Sequence, residues 1–277
     1  MSRKFRQNII IFLASFIITL AGIEFYLWYG DPYGLRVYLT DFQALTRLRT
    51  SHPTGTQYYL GHHELEHYSF TALPDGLRLV PDTGRSDCII TAIGDSVTFG
   101  MGVDDHETWV NLLAQRYPKV QFLNAGRPTY SVSNVLASYQ YYDQSDGFIY
   151  IVIDDDDGDF LRHKHNSPPP RVFAIQLYVY FWLYPAKAPF NMGRFMKDFV
   201  PLLEKDDIVI IDFQEDRLVL DDLVAQYPSL HPVPMYTHVI SRADPHPTPA
   251  GHIEIADGID ALVGELIARR CGAEYLS

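Results

Sequence analysis

The chain has 277 residues, 47% of them hydrophobic and 14% aromatic, and a formal net charge of −12 at pH 7. That length supports one sizeable core with appendages but is short for two full domains. The negative charge excludes nucleic acid as the natural partner, because no basic face is available to neutralise a phosphate backbone.

The N-terminus differs in kind from the rest. Arg3, Lys4 and Arg6 precede a nearly continuous apolar run from Ile9 to Ile23; Glu24 interrupts it, and Phe25-Tyr26-Leu27-Trp28-Tyr29 follows. Residues 8–29 have the length of a membrane-spanning helix with an aromatic belt at its far end. The basic flank predicts a cytoplasmic tail at 1–7, a single-pass anchor in the cell membrane, and the remainder of the chain outside the cytoplasm. A cleaved signal peptide is the competing reading, and Thr19-Leu20-Ala21 is a poor cleavage site for it.

Residues 30–85 read as an extended linker. Within them Tyr68–Thr71 and Leu77–Val80 alternate around Pro74-Asp75-Gly76, which predicts a hairpin or two extended segments. From Cys88 onward the apolar period switches between strand and helix. Strands are expected at Cys88–Ile93, Val120–Leu123, Phe148–Ile153 and Ile208–Ile211. Helices are expected at Glu107–Tyr117, Ser133–Tyr142 and Asn191–Leu203, with a last one entered at Thr248-Pro249 and running to about Ala268. The run Arg171–Tyr184 suits either a strand or a buried helix, with a lean to helix. Strands alternating with helices predict a parallel sheet in an α/β domain over 86–270, followed by a short tail at 271–277. Cys88 and Cys271 are too few for a disulfide framework; they read as two small buried or half-buried residues, with pairing left open.

The chemistry concentrates at strand ends. The apolar strand before Gly94-Asp95-Ser96 presents a serine where an open parallel sheet binds its ligands. Asp244-Pro245-His246 lies just before the last helix. A serine with a late aspartate and histidine is the composition of a nucleophile, a base and an orienting carboxylate.

Ile93-Gly94-Asp95-Ser96-Val97-Thr98-Phe99-Gly100 resembles the first block of the SGNH (GDSL-type) ester hydrolases. Asn124-Ala125-Gly126 resembles the second block, and the stretch from Asp244 to His252 resembles the last, with one residue between aspartate and histidine where the family often has two. The resemblance covers about 87–269. It implies a flavodoxin-like three-layer sandwich with a parallel sheet, and a serine esterase that needs no cofactor or metal. Ser96 would be the nucleophile, His246 the base and Asp244 its partner. The oxyanion would be held by the N–H groups of Ser96 and Gly126 and by the third-block residue. That residue is asparagine in the family, whereas by position this chain has Asp156, within Asp154–Asp157. An ionised carboxylate cannot donate to an oxyanion. Contact between the two costs roughly 4 kcal/mol at an effective dielectric near 20.

The expected substrate is an acyl ester on a polysaccharide or a lipid, with O-acetylated glycans suited to an exported domain. A carbohydrate O-acyltransferase and a non-catalytic binding scaffold are the alternatives. Two other signals have plainer readings. His63-Glu64-Leu65-Glu66-His67 matches a zinc-peptidase pattern, but Gly61 upstream and the β-prone Tyr68–Thr71 oppose the helix it requires. The acidic run at 154–159 fails the EF-hand spacing and reads as a solvated loop.

Overall fold

A computed structural model describes residues 3–30, 55–60, 67–128, 130, 137–139, 141, 148–153, 174–175, 178–179, 200–201, 203–204, 208–214, 225–240 and 246–276. Helix α1 spans Arg3–Gly30. Its apolar stretch has a mean hydropathy of 2.2, and none of it is buried. It is long and apolar enough to cross a membrane.

Strands β1 (Gly55–Leu60) and β2 (His67–Ala72) pair antiparallel. The turn expected at Pro74–Gly76 is present: Leu73 N–H donates to Leu77 O at 2.8 Å and Leu79 N–H to Thr71 O at 2.8 Å. A short bridge, Ala72 to Arg78, continues that hairpin. The segment is more than a linker, since Tyr68, Phe70, Leu77, Arg78 and Val80 are all buried. His67 lies in β2 opposite Leu60. The single helical face demanded by the zinc-peptidase pattern is therefore not formed at that histidine, and His63 lies outside the described residues.

The main sheet consists of β3 (Ile89–Gly94), β4 (Gln121–Asn124), β5 (Phe148–Ile153), β6 (Ile208–Gln214) and β7 (Leu230–Pro234). Its order is β4-β3-β5-β6-β7, with every pairing parallel. Counted from β3, this is the 2-1-3-4-5 order of flavodoxin-like α/β sheets. The chain builds first to one side of β3 and then to the other. Its carboxyl end is thus the switch point where such sheets open a crevice. Strand β7 has no counterpart in the sequence reading. Pro232 and Pro234 mask it, yet prolines are tolerated there because β7 is the edge strand and its outer side needs no ladder donors.

Helix α2 is the single turn Ser96–Phe99, α3 is Trp109–Arg116, and α4 is Pro249–Arg270. Ile90 and Ala92 of β3 pack with Trp109, Val110 and Leu113 of α3 and with Ile255, Ile259 and Val263 of α4. This layer sets the height at which β3 emerges. Thr108 caps α3 by accepting Asn111 N–H at 3.2 Å, and Thr248 caps α4 by accepting Gly251 N–H at 3.3 Å, with Pro249 next. The helices expected at Ser133–Tyr142 and Asn191–Leu203 are described only in part, and residues 137–139, 141, 200–201 and 203 are helical or belong to helices.

Cys88 and Cys271 form a disulfide with Cα atoms 5.7 Å apart. This corrects the reading of two separate small residues. Helix α4 runs back against the parallel strands, so its carboxyl end reaches the amino edge of the sheet where β3 begins. Sequence separation, 183 residues here, conceals that closeness. Replacing Cys271 by serine is expected to cost about 2–4 kcal/mol, mainly by freeing the unfolded chain. Chemical denaturation with and without reductant measures it; an unchanged midpoint would show that the link constrains nothing.

Candidate active site

The site is built at the end of β3. Asp95 caps α2, its Oδ1 accepting Val97 N–H at 2.8 Å. Ser96 is thereby the first residue of a helical turn, with its side chain at the switch-point edge. All four residues of α2 are buried. A buried helix end must have its carbonyls satisfied, and two side chains do this. Asn124 Nδ2 donates to Thr98 O at 2.9 Å. Arg78 Nη1 donates to Phe99 O at 2.7 Å and Gly100 O at 2.5 Å, and Nη2 donates to Val103 O at 2.7 Å.

Arg78 is fully buried, pairs through Nε with Asp105 Oδ1 at 2.8 Å, and sits against the Phe70 and Phe99 rings, which meet each other edge to face. Burial pulls its pKa below the ordinary value, against the raising effect of Asp105. Asp104 and Asp105 also accept the Ser69 and Thr71 N–H groups of β2 at 2.7 and 3.2 Å. The hairpin region and the Ser96 turn are therefore one polar unit.

Gly100 ends α2 in the left-handed region, with φ of 86°, where a side chain is strained. A Cβ there would also stand 2.8 Å from Arg78 Nη1. Gly126 meets a different constraint: a Cβ would stand 2.2 Å from the Phe99 backbone nitrogen. Its N–H donates to Asn124 Oδ1 at 3.0 Å. The donor that the resemblance assigns to the oxyanion is thus committed within its own turn. What Gly126 visibly provides is close approach beneath α2. Among the described residues no acceptor takes the Ser96 N–H.

His246 Nε2 lies 2.8 Å from Ser96 Oγ, across a sequence separation of 150 residues. The histidine is carried on a strapped loop. Ile240 N–H donates to His246 O at 2.9 Å, and Thr248 N–H donates to His238 O at 3.0 Å. Glu254, on the first turns of α4, accepts Thr237 N–H at 2.6 Å, Thr237 Oγ1–H at 2.7 Å and His238 N–H at 3.2 Å. The Thr237 hydroxyl, the Thr237 N–H and the His238 donors hold the Glu254 carboxyl down at about 2. Asp244 and Asp156 lie outside the described residues, as do the other members of the acidic run.

A second histidine, His252, is fully buried one and a half turns further on. Its Nδ1 accepts Trp109 N–H at 3.2 Å, and among the described residues its Nε2 has no hydrogen-bond partner. Burial above all, with help from the nearby charges of Arg78 and His246, lowers its pKa from 6.5 to about 3. The folded chain therefore refuses a proton that the unfolded chain accepts. His252 costs no stability above pH 6.5, and a penalty grows as pH falls from 6.5 towards 3. His252→Asn keeps an acceptor for Trp109 but does not titrate. Its Tm is expected to fall less steeply than that of the native chain between pH 6.5 and 4, measured by calorimetry; parallel curves would remove His252 as the cause.

Arg78, Asn124, His252 and Glu254 escaped the sequence reading as site-building residues. Arg78 sits in an alternating Leu-Arg-Leu run that places it on the outer face, and its partners lie more than twenty residues away. Asn124 carried a signal only as part of its block.

Fold and site together define an α/β protein of flavodoxin-like strand order with a serine–histidine pair at its switch point, the geometry nucleophilic serine chemistry requires. No family model matches the chain, and none of the curated proteins does. Several solved structures are similar to it. A member of the lipolytic protein G-D-S-L family from Veillonella parvula is 17% identical, with a TM-score of 0.41 over 63% of this chain and 97% of that one. A carbohydrate acetylesterase from Sinorhizobium meliloti is 12% identical, with a TM-score of 0.36 over 65% of this chain and 100% of that one. A catalytic mutant of an acetylxylan esterase from Geobacillus stearothermophilus is 18% identical, with a TM-score of 0.33 over 68% and 96%.

Proposed function

We propose that this chain is a membrane-anchored serine ester hydrolase of the SGNH kind, acting outside the cytoplasm on acyl esters of a glycan or lipid. The observation that carries the reading is the 2.8 Å contact between Ser96 Oγ and His246 Nε2 at the carboxyl end of β3. Ser96 Oγ attacks the ester carbonyl carbon while His246 Nε2 takes its proton. Asp244, two residues before His246, holds the imidazole tautomer and offsets its charge. The Ser96 N–H at the start of α2 donates to the oxyanion. Collapse expels the alcohol, which leaves with the proton from His246. Water then attacks the acyl-serine by the same route and releases the acid. A sugar hydroxyl in place of water makes the same site an acyltransferase.

Two features support the location. Helix α1 presents its apolar surface outward, and the Cys88–Cys271 disulfide suits an oxidising compartment. The reading is tested with a fluorophosphonate probe on the full chain in detergent. Intact mass should show one adduct, mapped to Ser96 and absent from Ser96→Ala; no adduct on the native chain sinks the serine hydrolase.

The third-block aspartate favours a slow enzyme. With Asp156 facing the oxyanion, Asp156→Asn restores an amide donor and removes a repelling charge. The expected result is a rise in kcat of about tenfold to a hundredfold on p-nitrophenyl acetate. No change would place Asp156 away from the reacting oxygen. No esterase activity in either form, with the probe unreactive, supports the binding scaffold.

A further inference from the structure

Glu24 is the one carboxylate within the apolar stretch of α1. Its two oxygens accept the backbone N–H groups of Ala174 and Ile175, at 2.5 and 2.9 Å. Both residues are helical, as are Tyr178 and Val179 after them. Along α1 the residues are exposed except Glu24 and Leu27, which are half-covered and lie three apart on one face. Ala174 is buried, whereas Val179 is exposed.

Two costs cancel in this contact. A carboxylate in the outer part of a membrane-spanning helix is expensive unless it finds a partner. The first N–H groups of a helix have no intrahelical acceptor, and in apolar surroundings they are equally expensive. Glu24 accepts two of them and places its charge at the positive end of the second helix. The depth follows from the length of α1. Glu24 is about 24 Å of helix beyond Asn8, close to the outer boundary of a hydrocarbon core of about 30 Å. The aromatic residues Phe25–Tyr29 continue through the interface. The helical residues Ala174 and Ile175 are therefore held at that level. Its sequence fits the position: no charged residue occurs between Arg171 and Lys187, and Ile175, Leu177, Val179, Phe181, Trp182 and Leu183 fall within that stretch. The run is too short to span a bilayer and suits a helix lying in the interface.

We propose that the helical segment holding Ala174 and Ile175 is a second membrane-contacting element. It is laid into the outer leaflet beside α1 and pinned there by Glu24. The partner of its exposed face is lipid, and the α/β domain is thereby held at a set height over the bilayer instead of swinging on a tether. This rests on α1 being a membrane anchor. The Ser96–His246 site would then serve esters presented at or near the membrane surface.

The test uses the full chain in phosphatidylcholine–phosphatidylglycerol nanodiscs. A nitroxide is placed at Val179→Cys; the two native cysteines are disulfide-bonded and do not react. Power-saturation EPR compares access by oxygen, which dissolves in lipid, with access by an aqueous nickel chelate. The expected result is a lipid-exposed nitroxide that becomes water-exposed on adding Glu24→Leu, with Glu24→Gln in between because it keeps one acceptor oxygen. Retained fluorophosphonate labelling of Ser96 reports that each variant is folded. A water-exposed nitroxide in the native background overturns the proposal, and so does a lipid-exposed one that Glu24→Leu does not move. Alkaline carbonate extraction of the native chain from membranes separates the readings. Release into the supernatant removes the anchor and this proposal together, whereas retention with a water-exposed nitroxide removes this proposal alone.

Discussion

Ser96→Ala is expected to lower kcat/KM for p-nitrophenyl acetate by roughly a thousandfold or more, and His246→Gln to do the same. In the proposed mechanism the two groups act as a unit, since the hydroxyl is a useful nucleophile only while the imidazole beside it takes the proton. The double variant is accordingly expected to be no slower than the worse single variant. Losses that multiply would mean two independent roles and would defeat the assignment of a nucleophile–base pair. Because among the described residues the Ser96 hydroxyl bonds only His246, the folding stability of Ser96→Ala should lie within about 1 kcal/mol of the native value. A large loss of Tm with the loss of rate would point instead to a structural hydroxyl.

Arg78→Met is expected to destabilise the domain by about 3–5 kcal/mol, the range for removing one partner of a buried ion pair. Several consequences add in the same direction. Asp105 keeps its charge with its buried partner gone. The carbonyls of Phe99, Gly100 and Val103 each lose a donor in a buried setting. The Phe70 and Phe99 rings lose the cation that sits against both. Arg78→Lys should recover only part of this, because one ammonium cannot reproduce a planar fork that reaches Asp105 on one side and three carbonyls on the other. Urea denaturation of the detergent-solubilised chain measures both variants. A loss below about 1 kcal/mol for Arg78→Met would show that water replaces the guanidinium without penalty. Because Arg78 grips the carboxyl end of α2, whose first residue is Ser96, kcat should fall further in the folded fraction of Arg78→Met than KM changes.

The strand–helix alternation was legible because apolar period depends on local sequence. The run from Ile89 to Ile93 reads as a buried strand whatever surrounds it, and Thr248-Pro249 marks a helix start by its own chemistry. The same holds for α1, where uninterrupted apolar length is itself the signal. Strand β7 was not legible, because Pro232 and Pro234 look like strand breakers until the strand is known to lie at an edge. The turn within residues 67–80 was legible but its burial was not, because burial of Phe70 and Arg78 depends on a surface supplied by residues 99–105.

By itself the sequence determined the α/β alternation, the serine at a strand end, the histidine before the last helix, and the apolar N-terminal helix. Each of these is written in neighbouring residues, through side-chain period or turn chemistry. Tertiary structure alone decided which distant groups meet: Ser96 with His246, Cys88 with Cys271, Arg78 with the carbonyls of the nucleophile turn, and Glu24 with the amides of Ala174 and Ile175. It also decided that the Gly126 N–H goes to Asn124. The reason is physical. A hydrogen bond or ion pair depends on ångström-scale positions set by the packing of whole layers, and residue type carries no record of a partner a hundred or more positions away.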